Sequence, residues 1–185
     1  MKRITLVLIL VFVTSLAYTG LKETQKWLKK HGKNYTINQL KNLEHLELER
    51  AKIEDISPLK ELNNLEYLEL EETKVRDITP LKGFKNLRRL YLRQTEVSDL
   101  SPLKDLKNLR ILYLDWTKIR DISPLKGLLN LRELSLRQTK VSDISPLKRL
   151  LNLKKLKLRK TKVSKKDVLA LKKALPKCRI SSDYD

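Results

Sequence analysis

The sequence predicts an α/β solenoid, a chain wound in parallel turns with a parallel β-sheet on its concave face and short 3₁₀ or helical turns on its convex face. Three observations carry this. Leu43, Leu65, Leu87, Leu109, Leu131 and Leu153 recur every 22 residues, a period that marks a repeat architecture. Within each unit a short segment alternates apolar and polar residues at period two, as a half-buried strand does. A proline recurs at one fixed place, as Pro58, Pro80, Pro102, Pro124 and Pro146. There it forbids a strand and suits the first turn of a helix.

Residues 1–17 are a different material. Lys2 and Arg3 precede an apolar run from Ile4 to Val13, followed by the small residues Ser15 and Ala17. This is the pattern of a secretory signal cleaved after Ala17, and the run is shorter than the ~20 apolar residues that cross a membrane. An uncleaved anchor is the alternative, and on either reading the repeats are exported. Residues 18–42 are expected to form an N-terminal helical cap, because Leu21, Trp27 and Leu28 share one helical face that stops at Gly32.

The repeats span residues 43–163. In each strand two leucines point inward: Leu46 and Leu48, Leu68 and Leu70, Leu90 and Leu92, Leu112 and Leu114. A Thr-x-Val or Thr-x-Ile step, beginning at Thr73, Thr95, Thr117 and Thr139, turns the chain. Ser57, Thr79, Ser101, Ser123 and Ser145 then stand just before the prolines, as N-caps of a short helical turn. Asn64, Asn86, Asn108, Asn130 and Asn152 close the units and are expected to form an internal hydrogen-bond ladder. Asp55, Asp77, Asp99, Asp121 and Asp143 hold one turn position, where they tie backbone and bind no metal. Residues 164–185 are expected to be a C-terminal helical cap and tail, with Ser164 as N-cap and Val168, Leu169, Leu171 and Leu175 at helical spacing.

Composition narrows the function. His31 and His45 lie in different elements, Cys178 is far from both, and no glycine-rich phosphate loop is present. No nucleophile–base pair follows, so no enzyme, cofactor or metal site is expected. With one cysteine no internal disulfide can form; Cys178 is expected to be packed or idle, intermolecular pairing being the alternative. Export without disulfides reads as bacterial. The net charge of +19 points to acidic partners of some kind.

Outward strand positions should line the concave face. The first column is His45, Tyr67, Arg89, Ile111, Glu133, Lys155, and the second Glu47, Glu69, Tyr91, Tyr113, Ser135, Lys157. The third is Glu49, Glu71, Arg93, Asp115, Arg137, Arg159, and the fourth Arg50, Glu72, Gln94, Trp116, Gln138, Lys160. Residues 43–77 carry eleven acidic and five basic side chains, and residues 148–179 fourteen basic and one acidic. Neighbouring like charges repel, so this polarity does not serve stability. Tyr and Trp among charges are the residue types that dominate protein interfaces. Tyr67, Arg89, Tyr91, Arg93, Ile111, Tyr113, Asp115, Trp116 and Arg137 are therefore the expected protein contact. The rival reading of the tyrosines is that they stack on one another and cover strand backbone. The alternative site is Lys155, Lys157, Arg159 and Lys160 with the terminal helix, holding an anionic polymer or a membrane surface. Export disfavours nucleic acid as partner, and a monomer is expected.

The unit with Thr at its ninth position, followed by Asp-Ile-Ser/Thr-Pro-Leu, resembles the 22-residue repeat of bacterial internalin-type leucine-rich-repeat proteins across residues 40–163. The tail from Leu171 to Ile180 resembles the closing segment of other bacterial leucine-rich-repeat proteins. The resemblance implies a parallel solenoid that binds proteins on its concave face.

Overall fold

The computed structural model describes residues 18–185; the signal expected at residues 1–17 lies outside the described residues. The described residues begin with helical residues 18–30 (α1), which bury Leu21, Thr24 and Leu28. The Thr24 hydroxyl lies 2.5 Å from the Pro58 carbonyl and 3.0 Å from that of Gly20, fastening α1 to the first repeat. Helix α2, Ile37–Lys41, starts at a capping box: Thr36 Oγ1 accepts the Gln39 N–H, and Gln39 Oε1 accepts the Thr36 N–H. Its Leu40 closes the bottom of the core.

Seven strands follow: β1 His45–Glu47, β2 Tyr67–Glu69, β3 Arg89–Tyr91, β4 Ile111–Tyr113, β5 Glu133–Ser135, β6 Lys155–Lys157 and β7 Arg179–Ser181. They form one parallel sheet in chain order. From β1 to β6 each strand pairs with the next in the repeat's own register, as Leu46 with Leu68 and Leu68 with Leu90, while β7 pairs outside that step, Leu156 with Ile180. The inward leucines are buried throughout. Stacked aliphatic rows of this kind, removed from water, are the dominant favourable contribution to such a fold.

On the convex side five 3₁₀ turns run Ser57–Glu61, Thr79–Leu81, Ser101–Leu103, Ser123–Gly127 and Ser145–Arg149. The hydroxyl residues are not the N-caps expected of them. Each is the first residue of its turn, and Ile56, Ile78, Leu100, Ile122 and Ile144 hold the cap position without a side-chain bond. The recurring aspartates do that work instead. Asp55, Asp77, Asp99, Asp121 and Asp143 each accept the backbone N–H two residues on, at 2.7–2.8 Å. Four of the five also receive the serine hydroxyl. A carboxylate takes both donors at once, one on each oxygen.

Two further ladders run along the stack. Thr73, Thr95, Thr117 and Thr139 are buried and donate to the carbonyls of Leu70, Leu92, Leu114 and Leu136, three residues back. The asparagine ladder exists but is exposed and not internal. Asn64, Asn86, Asn108, Asn130 and Asn152 donate to Lys41, Asn63, Lys85, Lys107 and Leu129, each 23 residues earlier. Every unit is thereby pinned to the carbonyl of the turn before it.

Helix α3, Lys165–Ala174, begins at Ser164, whose hydroxyl accepts the Asp167 N–H. It buries Val168 and Leu171. The tail does more than end the chain: after Pro176 it returns as β7. The Arg179 N–H bonds Lys154 O at 2.8 Å, and the Leu158 N–H bonds Ser181 O at 2.7 Å. This closes a sheet edge that would otherwise offer free donors and acceptors. Among the described residues no helix is long and apolar enough to cross a membrane.

Candidate protein-binding face

The concave face is built by the strand periodicity. In each of β1 to β6 the middle leucine is buried, and the flanking residues of the first two columns are exposed or half-buried, except Ser135 of β5, which is covered. The fourth column has a backbone feature absent from the sequence reading. Arg50, Glu72, Gln94, Trp116, Gln138 and Lys160 all adopt left-handed conformation, with φ between 53° and 58°. Side chains reach that region at a cost, so glycine is its usual signal, and no glycine stands here. The geometry persists because the ladder demands it. The N–H groups of Arg50, Glu72, Gln94, Trp116 and Gln138 each bond a carbonyl of the next turn at 2.9–3.0 Å.

An aromatic file crosses the first four strands. His45 and Tyr67 stack at 5.5 Å with ring planes 6° apart, Tyr67 and Tyr91 lie at 5.3 Å, and Tyr91 and Tyr113 meet edge-on at 5.1 Å. Three tyrosines thus stack up the ladder while remaining half-exposed. Two hydroxyls are engaged within the fold: Tyr67 donates to Glu69 and Tyr113 to Glu133. Burial pushes the Tyr113 phenol up to about 12 and raises that of Tyr67, where the Glu69 bond adds to the effect.

Beside this file sits a charged cluster centred on Asp115. Its side chain is 1% exposed, so it lies beneath the face and not on it, unlike a contact residue. Ser135 donates to it at 2.5 Å, the Arg137 backbone N–H at 2.8 Å, and the Arg137 guanidinium at 3.3 Å through both Nε and Nη2. Arg93 Nε stands 3.9 Å from the same carboxylate, and Arg93 Nη1 3.5 Å from Glu71. Among the described residues Arg93 Nε is the one buried side-chain nitrogen or oxygen that lacks a hydrogen bond. Burial raises the Glu71 carboxyl above the usual range, with Arg93 opposing. Above the cluster Trp116 is 41% exposed, and the guanidinium carbons of Arg93 and Arg137 each lie 5.5 Å from its ring centroid. Asp115 therefore holds the arginines, and the arginines hold the indole.

The structure thus brings Tyr67, Tyr91, Arg93, Ile111, Tyr113, Trp116 and Arg137 onto one continuous surface, with Arg89 exposed beside Tyr67. Glu71 and Ser135 were missed as members of the cluster. Their only sequence signal is a shared column, 22 residues from Arg93 and one strand from Tyr113. The four cations of the alternative site are partly committed. Lys155 Nζ lies 2.9 Å from Glu133, which lowers that carboxyl. Lys157 Nζ sits 5.3 Å over the Tyr113 ring; at Lys160 it is the backbone N–H, and not the ammonium, that bonds Asp183. Arg159 is exposed. Among the described residues no group of three or more His, Cys, Asp or Glu is placed to hold a metal ion.

Comparison with known proteins fits this geometry. Residues 36–83 and 85–127 match the family model for leucine-rich repeats (2 copies). The chain is similar to internalin C2 of Listeria monocytogenes, at 36% identity and a TM-score of 0.72, covering 76% of this chain and 61% of that one. A second Listeria monocytogenes internalin shares 26% identity with a TM-score of 0.64, over 86% of this chain and 54% of its own. A leucine-rich-repeat protein of Leptospira interrogans shares 27% identity with a TM-score of 0.72, over 78% and 38%. The chain spans less than two thirds of the length of each of these proteins. No curated protein matches it.

Proposed function

Because the chain is a bacterial leucine-rich-repeat protein with internalin-type repeats, we propose that its concave face binds another protein, and that the chain does so after export. One observation carries the reading. Tyr67, Tyr91, Tyr113 and Trp116 run across adjacent strands at outward positions while leucine fills the inward ones. Partly exposed aromatics held by stacking and by paired arginines lose little conformational freedom on binding, which suits them to a contact centre. Export rests on the pattern of residues 1–17. The anionic-surface reading is the lesser one, since Lys155 and Lys157 already have partners within the fold.

The test uses the chain as bait against material from its native source. A protein captured through this face is released when Tyr91→Ala, Tyr113→Ala and Trp116→Ala are combined, with the far-ultraviolet circular dichroism unchanged. Capture that survives the triple substitution in a folded chain would place the contact elsewhere.

A further inference from the structure

The concave face has a charge pattern that differs from that of the chain. Over its first two units the eight outward positions are His45, Glu47, Glu49, Arg50, Tyr67, Glu69, Glu71 and Glu72: five acidic and one basic. Over its last two they are Glu133, Ser135, Arg137, Gln138, Lys155, Lys157, Arg159 and Lys160: five basic and one acidic. The ends therefore carry net charges of −4 and +4. The middle eight positions hold Arg89 and Arg93 beside the aromatics, with the Asp115 carboxylate buried beneath them, a net +1. In a chain of net charge +19, this face alone is close to neutral, and its two ends mirror one another in sign. A partner that fits it is basic at one end, aromatic in the middle and acidic at the other. The face itself meets that description.

We propose that two copies of this chain pair through their concave faces about a two-fold axis that runs parallel to the strands, between β3 and β4. This rests on the concave face being the contact surface, and it names the partner. An axis so placed keeps each column opposite itself and reverses the strand order, so β1 meets β6 of the second copy and β3 meets β4. Glu47 then faces the partner's Lys157, Glu49 the partner's Arg159, and Tyr91 the partner's Tyr113. By symmetry every such contact occurs twice. Two curved inner faces touch first at their ends, where the exposed charges stand, and the aromatic side chains fill the middle. One opposed pair is like-charged, Arg50 with the partner's Lys160. Arg50 is already neutralised, 3.0 Å from Glu72 and 3.3 Å from Glu49. The monomer expected from the sequence gives way to an equilibrium. Six strands at ~4.8 Å and four positions at ~3.3 Å give roughly 400 Å² of face per copy, about 800 Å² for the pair, below the ~1,000 Å² that a stable specific interface clears. The dimer is accordingly weak, with a dissociation constant on the order of 10–100 μM.

Sedimentation velocity of the full chain across its concentration range is the test. At low salt the mass is expected to rise from 21.8 kDa toward twice that value and no further, and to fall back at about 0.5 M salt as the charges are screened. Glu47→Lys with Glu49→Lys sets cations opposite the second copy's Lys157 and Arg159, and Lys157→Glu with Arg159→Glu sets carboxylates opposite the second copy's Glu47 and Glu49. Each variant should bind itself about 10-fold more weakly or worse. Mixed together they should pair with each other. A chain that stays monomeric at every concentration, a mixture that fails to associate, or a mass that grows past the dimer overturns the proposal. Association that ignores both reversals belongs to another surface and overturns it equally. The broader reading fails separately: a monomer that still captures a different protein through Tyr91, Tyr113 and Trp116 retains the binding face and loses only the self-pairing.

Discussion

The Asp115 carboxylate accepts both the backbone N–H of Arg137, at 2.8 Å, and its guanidinium, at 3.3 Å. One buried anion thus fixes a strand end and the side chain that lies over Trp116. Its removal should be felt in the core and on the surface alike. Asp115→Ala leaves the buried Ser135 hydroxyl without its acceptor, while Arg93 and Arg137, each about a third exposed, regain some water. A loss of ~2–3 kcal/mol is expected in urea unfolding. Asp115→Asn, which keeps an acceptor for Ser135 and for the Arg137 N–H, should lose less. Equal losses for the two variants would mean that charge and not hydrogen bonding governs the cluster.

Gln138 tests the left-handed column. It is exposed, with φ at 58°, and its N–H bonds Arg159 O at 3.0 Å. Gln138→Gly removes the clash between Cβ and backbone and should be neutral or stabilising by up to ~1 kcal/mol, the gain being offset by the freer unfolded chain. Gln138→Val places a branched side chain in the same region and should cost ~1–2 kcal/mol. Thermal unfolding of the pair gives opposite signs if the ladder holds this conformation in solution.

The convex aspartates predict an acid limb. Accepted backbone and hydroxyl bonds hold the carboxyls of Asp77, Asp99 and Asp143 below the usual range. A folded-state pKa below the unfolded one contributes stability above the unfolded value, ~3.9 for Asp, and that contribution is lost as pH falls through the folded value. Glu71 has the opposite sign: its raised pKa costs stability at higher pH, and protonation relieves that cost. The melting temperature should therefore drop between about pH 4 and about pH 2. Replacing the three aspartates by asparagine should flatten that drop, and an unchanged profile would remove them as its cause.

Cys178 should be a poor nucleophile. Burial pushes its thiol up to about 11, beside a pocket of about 230 Å³ lined by Leu151, Leu153, Ala174, Leu175, Pro176 and Lys177. The thiolate available at neutral pH falls about 100-fold against an ordinary thiol. Alkylation by iodoacetamide should slow to match, and Cys178→Ser should leave any self-association unchanged. Rapid labelling would show that the pocket opens.

How much was legible in the sequence can be judged residue by residue. The leucine positions, the 22-residue step, the convex turns and the outward columns could be read because side-chain period and proline chemistry are local. Where the reading failed, the determinant was a partner distant in sequence or a choice between adjacent acceptors. Ser57 looks like a cap until Asp55 is seen to take both its donors. Asp115 looks like a contact until Arg93 and Arg137, each 22 residues away on the two adjacent turns, and Ser135, 20 residues away, close over it. The segment from Arg179 to Ser181 carries no leucine pair, and only the open edge of β6 makes it a strand. Arg50 and its five counterparts carry no glycine to announce their conformation. The tyrosines satisfy both readings offered for them, since they stack on one another and still meet solvent.

The exposed asparagine bonds span 23 residues because each joins one winding to the winding before it. A tandem duplication of one whole repeat would therefore leave every such bond with an equivalent partner, and the solenoid would simply lengthen. An insertion of any other size at that corner would throw each later amide out of step with its carbonyl. The gene can thus change the reach of its product in increments of one winding, with no redesign of the interior.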